Sequence, residues 1–278
     1  MFLGYNTNGF AHHRLEDAIE TMAELGYRGV ALTPDVNHLD PNRLDLMSRV
    51  SAFGRGLLHF GLRCAVETGA RFVLDPRRKH QPTLLSADER GRQKRAGFLW
   101  QCVQLAKELN ADCVSFWSGT PEDSATPSEL MDRLVEECKR LADDASECDV
   151  RLAFEPEPGM FIDTMDKFAE LHARVNHPAF GLTVDVGHLV CNGELPVSKF
   201  LAEWKHVLWN VHIEDMRAGV HDHLMFGEGE VDFADVFAGL RASNYTGGVY
   251  VELSRHSYDA VNTARKAMAF LERYLERR

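Results

Sequence analysis

VRLAFE, residues 150–155, is apolar apart from one arginine until it stops on an acid, Glu155. The same grammar returns at 180–185 (FGLTVD, ending on Asp185), 208–212 (LWNVH, ending on His212) and 247–252 (GGVYVE, ending on Glu252). A charge at the end of an otherwise apolar strand is costly to desolvate unless something compensates it. Three carboxylates and one imidazole converging on one point are the ligand set of a hard or borderline divalent cation. Any one of these residues could be an ordinary satisfied core group. Four in succession point to a site.

Outward from these strands, short β-branched runs alternate with amphipathic helical patterns along the whole chain, which argues for a parallel sheet. Leu15, Ala18, Ile19, Met22 and Leu25 form one apolar helical stripe, Gly26 ends it, and GVALT (29–33) starts the next strand. The pattern repeats at LAKELNADCVSFW (105–117), where Asn110 stands in for the terminating glycine. Strand ends fall near Asn6, Thr33, Glu67, Ser118, Glu155, Asp185, His212 and Glu252. Eight such units without a break in composition predict one α/β domain over residues 1–278, a (β/α)8 TIM barrel. A dinucleotide-binding fold would want a glycine-rich loop after the first strand, and GYNTNGFAHH (4–13) does not supply one.

The longest gap carries TGARFVLDPRRKHQPTLLSADERGRQKR, residues 68–95. It reads as too polar for core, and it follows the third strand, so it would rise from the face where barrel active sites lie. We expect a lid-like insertion here; a merely solvated excursion with a short helix from Ala87 is the plainer reading. Arg77, Arg78, Lys79 and His80 on it would suit an anionic group on a substrate, and a solvated basic loop would account for them equally well.

Composition narrows the classes. The 278 residues are 45% hydrophobic and 26% charged, with a net charge of −11 and a pI near 5.6. Nucleic acid is not an expected partner, because phosphate-backbone binding needs a clustered basic surface. No membrane span is expected, since no stretch approaches 18 continuous apolar residues. No signal peptide is visible, and a cytoplasmic location is expected. Cys64, Cys102, Cys113, Cys138, Cys148 and Cys191 include no CxxC pair and read as free thiols.

Further polar residues crowd the ends of the same strands. His188 follows Asp185 by three residues in DVGH, Arg217 follows His212 by five, and His221 and His223 stand two apart before the GEG of 227–229. These residues, with the four strand ends, resemble the xylose-isomerase-like (AP-endonuclease-2-like) TIM barrels over essentially the full length. The resemblance implies a divalent metal (Mn, Mg, Co or Zn) on Glu155, Asp185, His212 and Glu252. It implies an isomerase or epimerase acting on a sugar, sugar phosphate or related keto compound by proton transfer through an enediolate. Glu155 and Glu252 would then be the catalytic pair, one removing a proton and the other returning it. His188, Arg217, His221 and His223 would bind substrate oxygens, and Trp117 would offer a stacking surface.

Other readings stay open at this stage. A lyase acting on a keto-cyclitol shares the same first step. An endonuclease IV-like phosphodiesterase would use a second metal on His188, His221 and His223, but VETG and FWSG at strands three and four lack that enzyme's extra histidines. A non-catalytic metabolite-binding barrel is the plainest alternative. Glu157, between two prolines, is either another acid or part of a rigid turn. His12, His13 and His38 fall on the first two loops near the same mouth, and related barrels often pair as homodimers.

Overall fold

The computed structural model describes residues 1–69 and 71–275. Its strands are β1 (Phe2–Asn6), β2 (Gly29–Leu32), β3 (Arg63–Glu67), β4 (Val114–Phe116), β5 (Leu152–Phe154), β6 (Phe180–Asp185) and β7 (Leu208–Ile213). A hairpin of β8 (Asp215–Arg217) and β9 (Val220–Leu224) follows, and then β10 (Gly248–Val251). All but the hairpin strands pair in parallel and close in the order β1-β10-β7-β6-β5-β4-β3-β2. The fold is therefore the predicted (β/α)8 barrel. Every strand end read from the sequence falls within two residues of the observed one.

The helices form where the apolar stripes lie. They are α1 (Leu15–Glu24), α2 (Leu46–Phe60), α3 (Glu89–Leu109), α4 (Pro127–Glu147), α5 (Met165–Val175), α6 (Val186–Cys191), α7 (Val197–Glu203), α8 (Phe233–Ala242) and α9 (Ala260–Leu275). Their ends carry the expected chemistry. Asn110 closes α3 in the left-handed conformation at φ 49°, as a terminating glycine would. Thr126 and Glu129 form a capping box on α4, with Pro127 in its first turn. Among the described residues no helix is long and apolar enough to cross a membrane, and all six cysteines are unpaired.

Inside the barrel, residues two apart on a strand share a face. The lower layer is small, made of Ala31, Ala65, Cys113 and Ala153 around a single large ring, Tyr250. Gly4 makes room for that ring: a Cβ there would lie 2.3 Å from Tyr250 Cδ1. One step higher along the same strands stand Glu67, Ser115, Glu155 and Glu252. The polar layer is thus stacked on a closed floor, with Ser115 and Thr183 hydrogen-bonded across the barrel at 2.8 Å. The β6–β7 ladder shifts register between Leu182 and Thr183, and above that shift Asp185 pairs with His212. Such irregularities re-aim side chains beside active sites.

The segment after β3 differs from expectation in two ways. Residues 89–95 are the first turns of α3 rather than part of an excursion. Gln81–Ser86 are buried, although the stretch reads as too polar for core. Thr83 and Ser86 satisfy polar groups locally: the Thr83 amide donates to Ser86 Oγ at 3.0 Å, and the Leu85 amide donates to Thr83 Oγ1 at 3.1 Å. That leaves Leu84 and Leu85 free to pack into the core. Ala70, within the predicted lid, lies outside the described residues.

Phe154 on β5 faces the helices and is fully buried, with the rings of Phe116, Phe180 and Phe168 at 5.1, 5.8 and 6.1 Å. Phe154→Ala should cost about 3–5 kcal/mol, the usual range for an aromatic cavity. Urea unfolding monitored by circular dichroism measures it. A loss under about 1.5 kcal/mol, the range of a volume-conserving swap, would show that this cluster does not anchor β5.

Candidate metal centre and active-site cavity

Four strands deliver the acidic cluster. Glu155, Asp185, His212 and Glu252 each present one atom, and these atoms lie within 4.8 Å of one another. His212 Nδ1 sits 3.0 Å from Glu155 Oε1 and 3.1 Å from Glu252 Oε2. On the far side of the ring, the Asn210 amide lies 3.0 Å from Nε2 and fixes the ring orientation. Asp185 caps α6, its Oδ1 accepting from the His188 amide at 2.9 Å, while its Oδ2 has no hydrogen-bond partner.

Burial opposes charge here, and the neighbours decide the outcome. Burial pushes Glu252 upward, yet hydrogen bonding to His212 holds it well below the usual carboxylate range. Burial likewise lowers His212, but Glu155 and Glu252 together raise it well above an ordinary imidazole. Asp185 is held low against burial by His188. Glu252 and Asp185 are therefore favoured in their ionised form beside an imidazole favoured in its cationic one. Once that ring gives up its proton, Nδ1 offers a lone pair at the same point. Three carboxylates, among them Asp185 with its Oδ2 unpartnered, and this lone pair fit a divalent cation.

A second cluster stands beside it. His188 Nδ1 donates to the Pro156 carbonyl at 3.1 Å, which leaves Nε2 facing His221 Nε2 at 3.1 Å. His221 and His223 are two apart on β9 and turn to the same side, within ligating reach of His188. Glu214, fully buried and 3.8 Å from His223 Nδ1, is pushed well above the usual carboxylate range by burial and by Asp185. Burial lowers His223, but Glu214 outweighs it and lifts the imidazole to about 10. His221 falls to about 4 under burial and the charge of His188. Gly187 is required here, because a Cβ would lie 2.0 Å from Glu214 Oε1.

Both clusters open into a cavity of about 600 Å³. Glu155, Glu252, His188, His221, His223 and Trp117 line it, as does Glu157. Asp185 and His212 lie beneath its surface. Arg217 is not among the lining residues. It is exposed at the end of β8, where its Nη2 donates to the Glu228 carbonyl at 2.9 Å. His38 is buried with Nε2 3.0 Å from the His13 carbonyl, so it ties the first two loops together rather than facing the cavity.

The structure adds several residues to those singled out in the sequence. Glu67 lines the cavity, accepting from Thr33 Oγ1 at 2.9 Å and the Gly69 amide at 2.6 Å. Burial, then Glu252, pushes it up to about 8. It ends β3 as the ligand set ends its own strands, and that shared position is the signal that could have found it. Asn8 lines the cavity and donates to Glu252 Oε1 at 3.1 Å. Asp215 shapes the GEG turn by accepting from the amides of Met216, Gly227 and Val231 at 3.0, 2.7 and 3.1 Å.

The chain belongs to the xylose isomerase-like TIM barrel family, whose model matches residues 19–274. Among its relatives is the L-ribulose-5-phosphate 3-epimerase UlaE of Shigella flexneri serotype 5b, 26% identical over 232 residues, 82% of this chain and 78% of that protein. The D-allulose 3-epimerase of Methylomonas sp., solved in complex with D-allulose, superposes with a TM-score of 0.79 at 20% identity, covering 98% of this chain and 96% of that one. The IolI protein, solved with a zinc atom, superposes with a TM-score of 0.76 at 18% identity, covering 99% of this chain and 100% of that one.

Metal titration checks the donor set. Adding Mn2+ to chelator-stripped protein should raise the thermal midpoint, with a gain of about 2.7 kcal/mol at a hundredfold excess over Kd. Asp185→Asn should abolish most of that gain. A midpoint unmoved by Mn2+, Mg2+, Co2+ and Zn2+ alike would sink the assignment.

Proposed function

We propose that this protein is a divalent-metal-dependent epimerase of a ketose or ketose phosphate, working by proton removal and return at the carbon beside the carbonyl. The observation that carries the reading is the pairing of Glu155 and Glu252. The two carboxylates flank a single point at His212 Nδ1, 3.0 and 3.1 Å from it, and both open onto the cavity. Epimerisation at one carbon needs such a pair, one carboxylate to accept the proton and the other to deliver a proton to the opposite face. The names of the relatives, both 3-epimerases of ketoses or their phosphates, support the same reading.

A cation on Glu155, Asp185, His212 and Glu252 would supply Lewis acidity to a carbonyl oxygen and the neighbouring hydroxyl. The remaining steps belong to the chain. Glu155 or Glu252 takes the proton, according to which epimer is bound. Asn8 donates to Glu252 Oε1 and so fixes the orientation of that carboxylate. Burial and Glu155 push Glu157 well above the carboxylate range, which favours its protonated form, and in that form it can donate to a substrate oxygen. His188 presents Nε2 to the cavity because its Nδ1 proton is committed to Pro156. We read His188, His221 and His223 as substrate contacts, Trp117 as a wall for the sugar, and the segment after β3 as its cover. A second ion bound per chain would instead assign the three histidines to it.

The reaction is tested by incubating the Mn2+-loaded protein with a panel of ketoses and ketose 5-phosphates in D2O. The expected result is deuterium at the carbon next to the carbonyl, together with the epimeric product, both read by NMR. Glu155→Gln and Glu252→Gln should each lower kcat by roughly 10²–10⁴-fold, the usual worth of a positioned acid or base. Full activity in either variant would rule out the two-carboxylate mechanism, and loss of water from the product would reassign the protein as a lyase.

A further inference from the structure

The cavity is divided by charge. Its acids, Glu67, Glu155, Glu157 and Glu252, come from or just beyond strand ends, whereas Arg71, Lys79 and His80 come from the loop after β3. On that loop the arginines have sorted themselves. Arg78 is held by Asp75 and Glu122, at 2.8 and 2.9 Å, and points away from the cavity. Arg255, on the opposite rim, is balanced by Asp222. Arg71 and Lys79 line the cavity and, among the described residues, pair with no carboxylate.

A third unpaired cation stands behind them. Arg95 on α3 is 3% exposed, with its guanidinium 4.8 Å from the centre of the Trp117 ring. Its Nη2 donates to the His80 carbonyl at 2.5 Å and its Nε to the Pro82 carbonyl at 2.9 Å. The His80 amide in turn donates to the Arg71 carbonyl at 2.7 Å, so one buried arginine sets the shape of the loop that carries all three lining residues. No aspartate or glutamate reaches Arg95 among the described residues. The His80 ring packs edge-on to Trp117 at 5.1 Å, and its Nδ1 is buried with no partner. Burial, then Lys79, Arg95 and Arg71, lowers His80 to about 4, as expected for an imidazole in uncompensated positive potential.

Arg95 is buried and Arg71 half-buried, and cations so placed without counter-ions are costly to maintain unless something anionic arrives; Lys79 is exposed at the cavity rim and free to meet the same group. We propose that this wall is a phosphate subsite: it receives the phosphate monoester of the substrate, with Arg71 and Lys79 as charged contacts, His80 as a hydrogen-bonding contact and Arg95 as the positioning residue. A phosphate monoester carries close to two charges at neutral pH, matching the two unpaired cations on the lining. The acidic set repels the same group and so orients the sugar, with its carbonyl end at Glu155 and Glu252 and its phosphate at the loop. The subsite rests on the epimerase reading, and it commits that reading to phosphorylated ketoses over free ones.

Two measurements on the metal-loaded protein test it. The first compares kcat/KM for a ketose and its own 5-phosphate, read as solvent deuterium exchange. The ester should be preferred by about 100-fold or more, and in Arg71→Ala and Lys79→Ala that preference should fall at least tenfold, through KM more than kcat. Arg78→Ala, outside the cavity, should keep it. Arg95→Ala should lose it, with recovery in Arg95→Lys marking a charge-and-position role. The second is calorimetric titration with inorganic phosphate, whose affinity should drop at least tenfold in the Arg71→Ala/Lys79→Ala double variant. Phosphate bound equally by that variant, equal turnover of the two sugars, or preference for a sugar carboxylate over the phosphate would each overturn the subsite while leaving the epimerase intact. Exchange with neither sugar would instead remove the epimerase reading, and phosphate affinity would still judge the subsite.

Discussion

Everything in this structure is arranged around three carboxylates brought out of water onto one imidazole. Glu155, Asp185 and Glu252 repel one another, and burial penalises the charge on each. They are tolerated because His212 stands among them, with its ring fixed by Asn210 and its Nδ1 about 3 Å from two of them. The four donors then have both the geometry and the chemistry to exchange the ring's proton for a divalent cation. Beneath them lies a buried floor of three alanines, Cys113 and Tyr250.

Around that centre the fold separates two kinds of charge. Acids occupy strand ends, where the backbone is rigid and a side chain is aimed by the pleat. The cations that line the cavity occupy the loop after β3, and the loop gets its form from a buried arginine and a few hydroxyl-to-amide hydrogen bonds. The result is a cavity with an acidic end and a basic end. A sugar phosphate has the same polarity, since its reacting carbonyl and its phosphate lie at opposite ends of the chain.

Two adjacent buried carboxylates are used in opposite ways. Asp215 follows Glu214 directly, and both are buried. Asp215 spends its oxygens on three backbone amides and holds the GEG turn. Glu214 has neither oxygen hydrogen-bonded and faces His223 and Asp185. The difference lies in what each chain neighbour offers, and Gly187 allows Glu214 to come so close.

The sequence by itself determined the barrel and the four charged strand ends that cluster at its mouth. Apolar runs of strand length set the eight staves, glycine and asparagine set the helix ends, and a charge at the end of such a run has few uses other than a site. Those signals are local, so they can be read without knowing the packing. Only the tertiary structure decided the rest. Glu67 joined the cavity and Arg217 stayed outside it because β3 is a barrel stave, whereas β8 is a hairpin strand lying beyond the ring. Thr83–Ser86 went inside because their polar groups satisfy each other, which composition does not reveal. Lys79 and Arg78 are neighbours in the sequence, yet one faces the cavity and the other faces Asp75 and Glu122. That choice depends on a guanidinium 15 or more residues away, on α3, and on the ring of Trp117 beneath it.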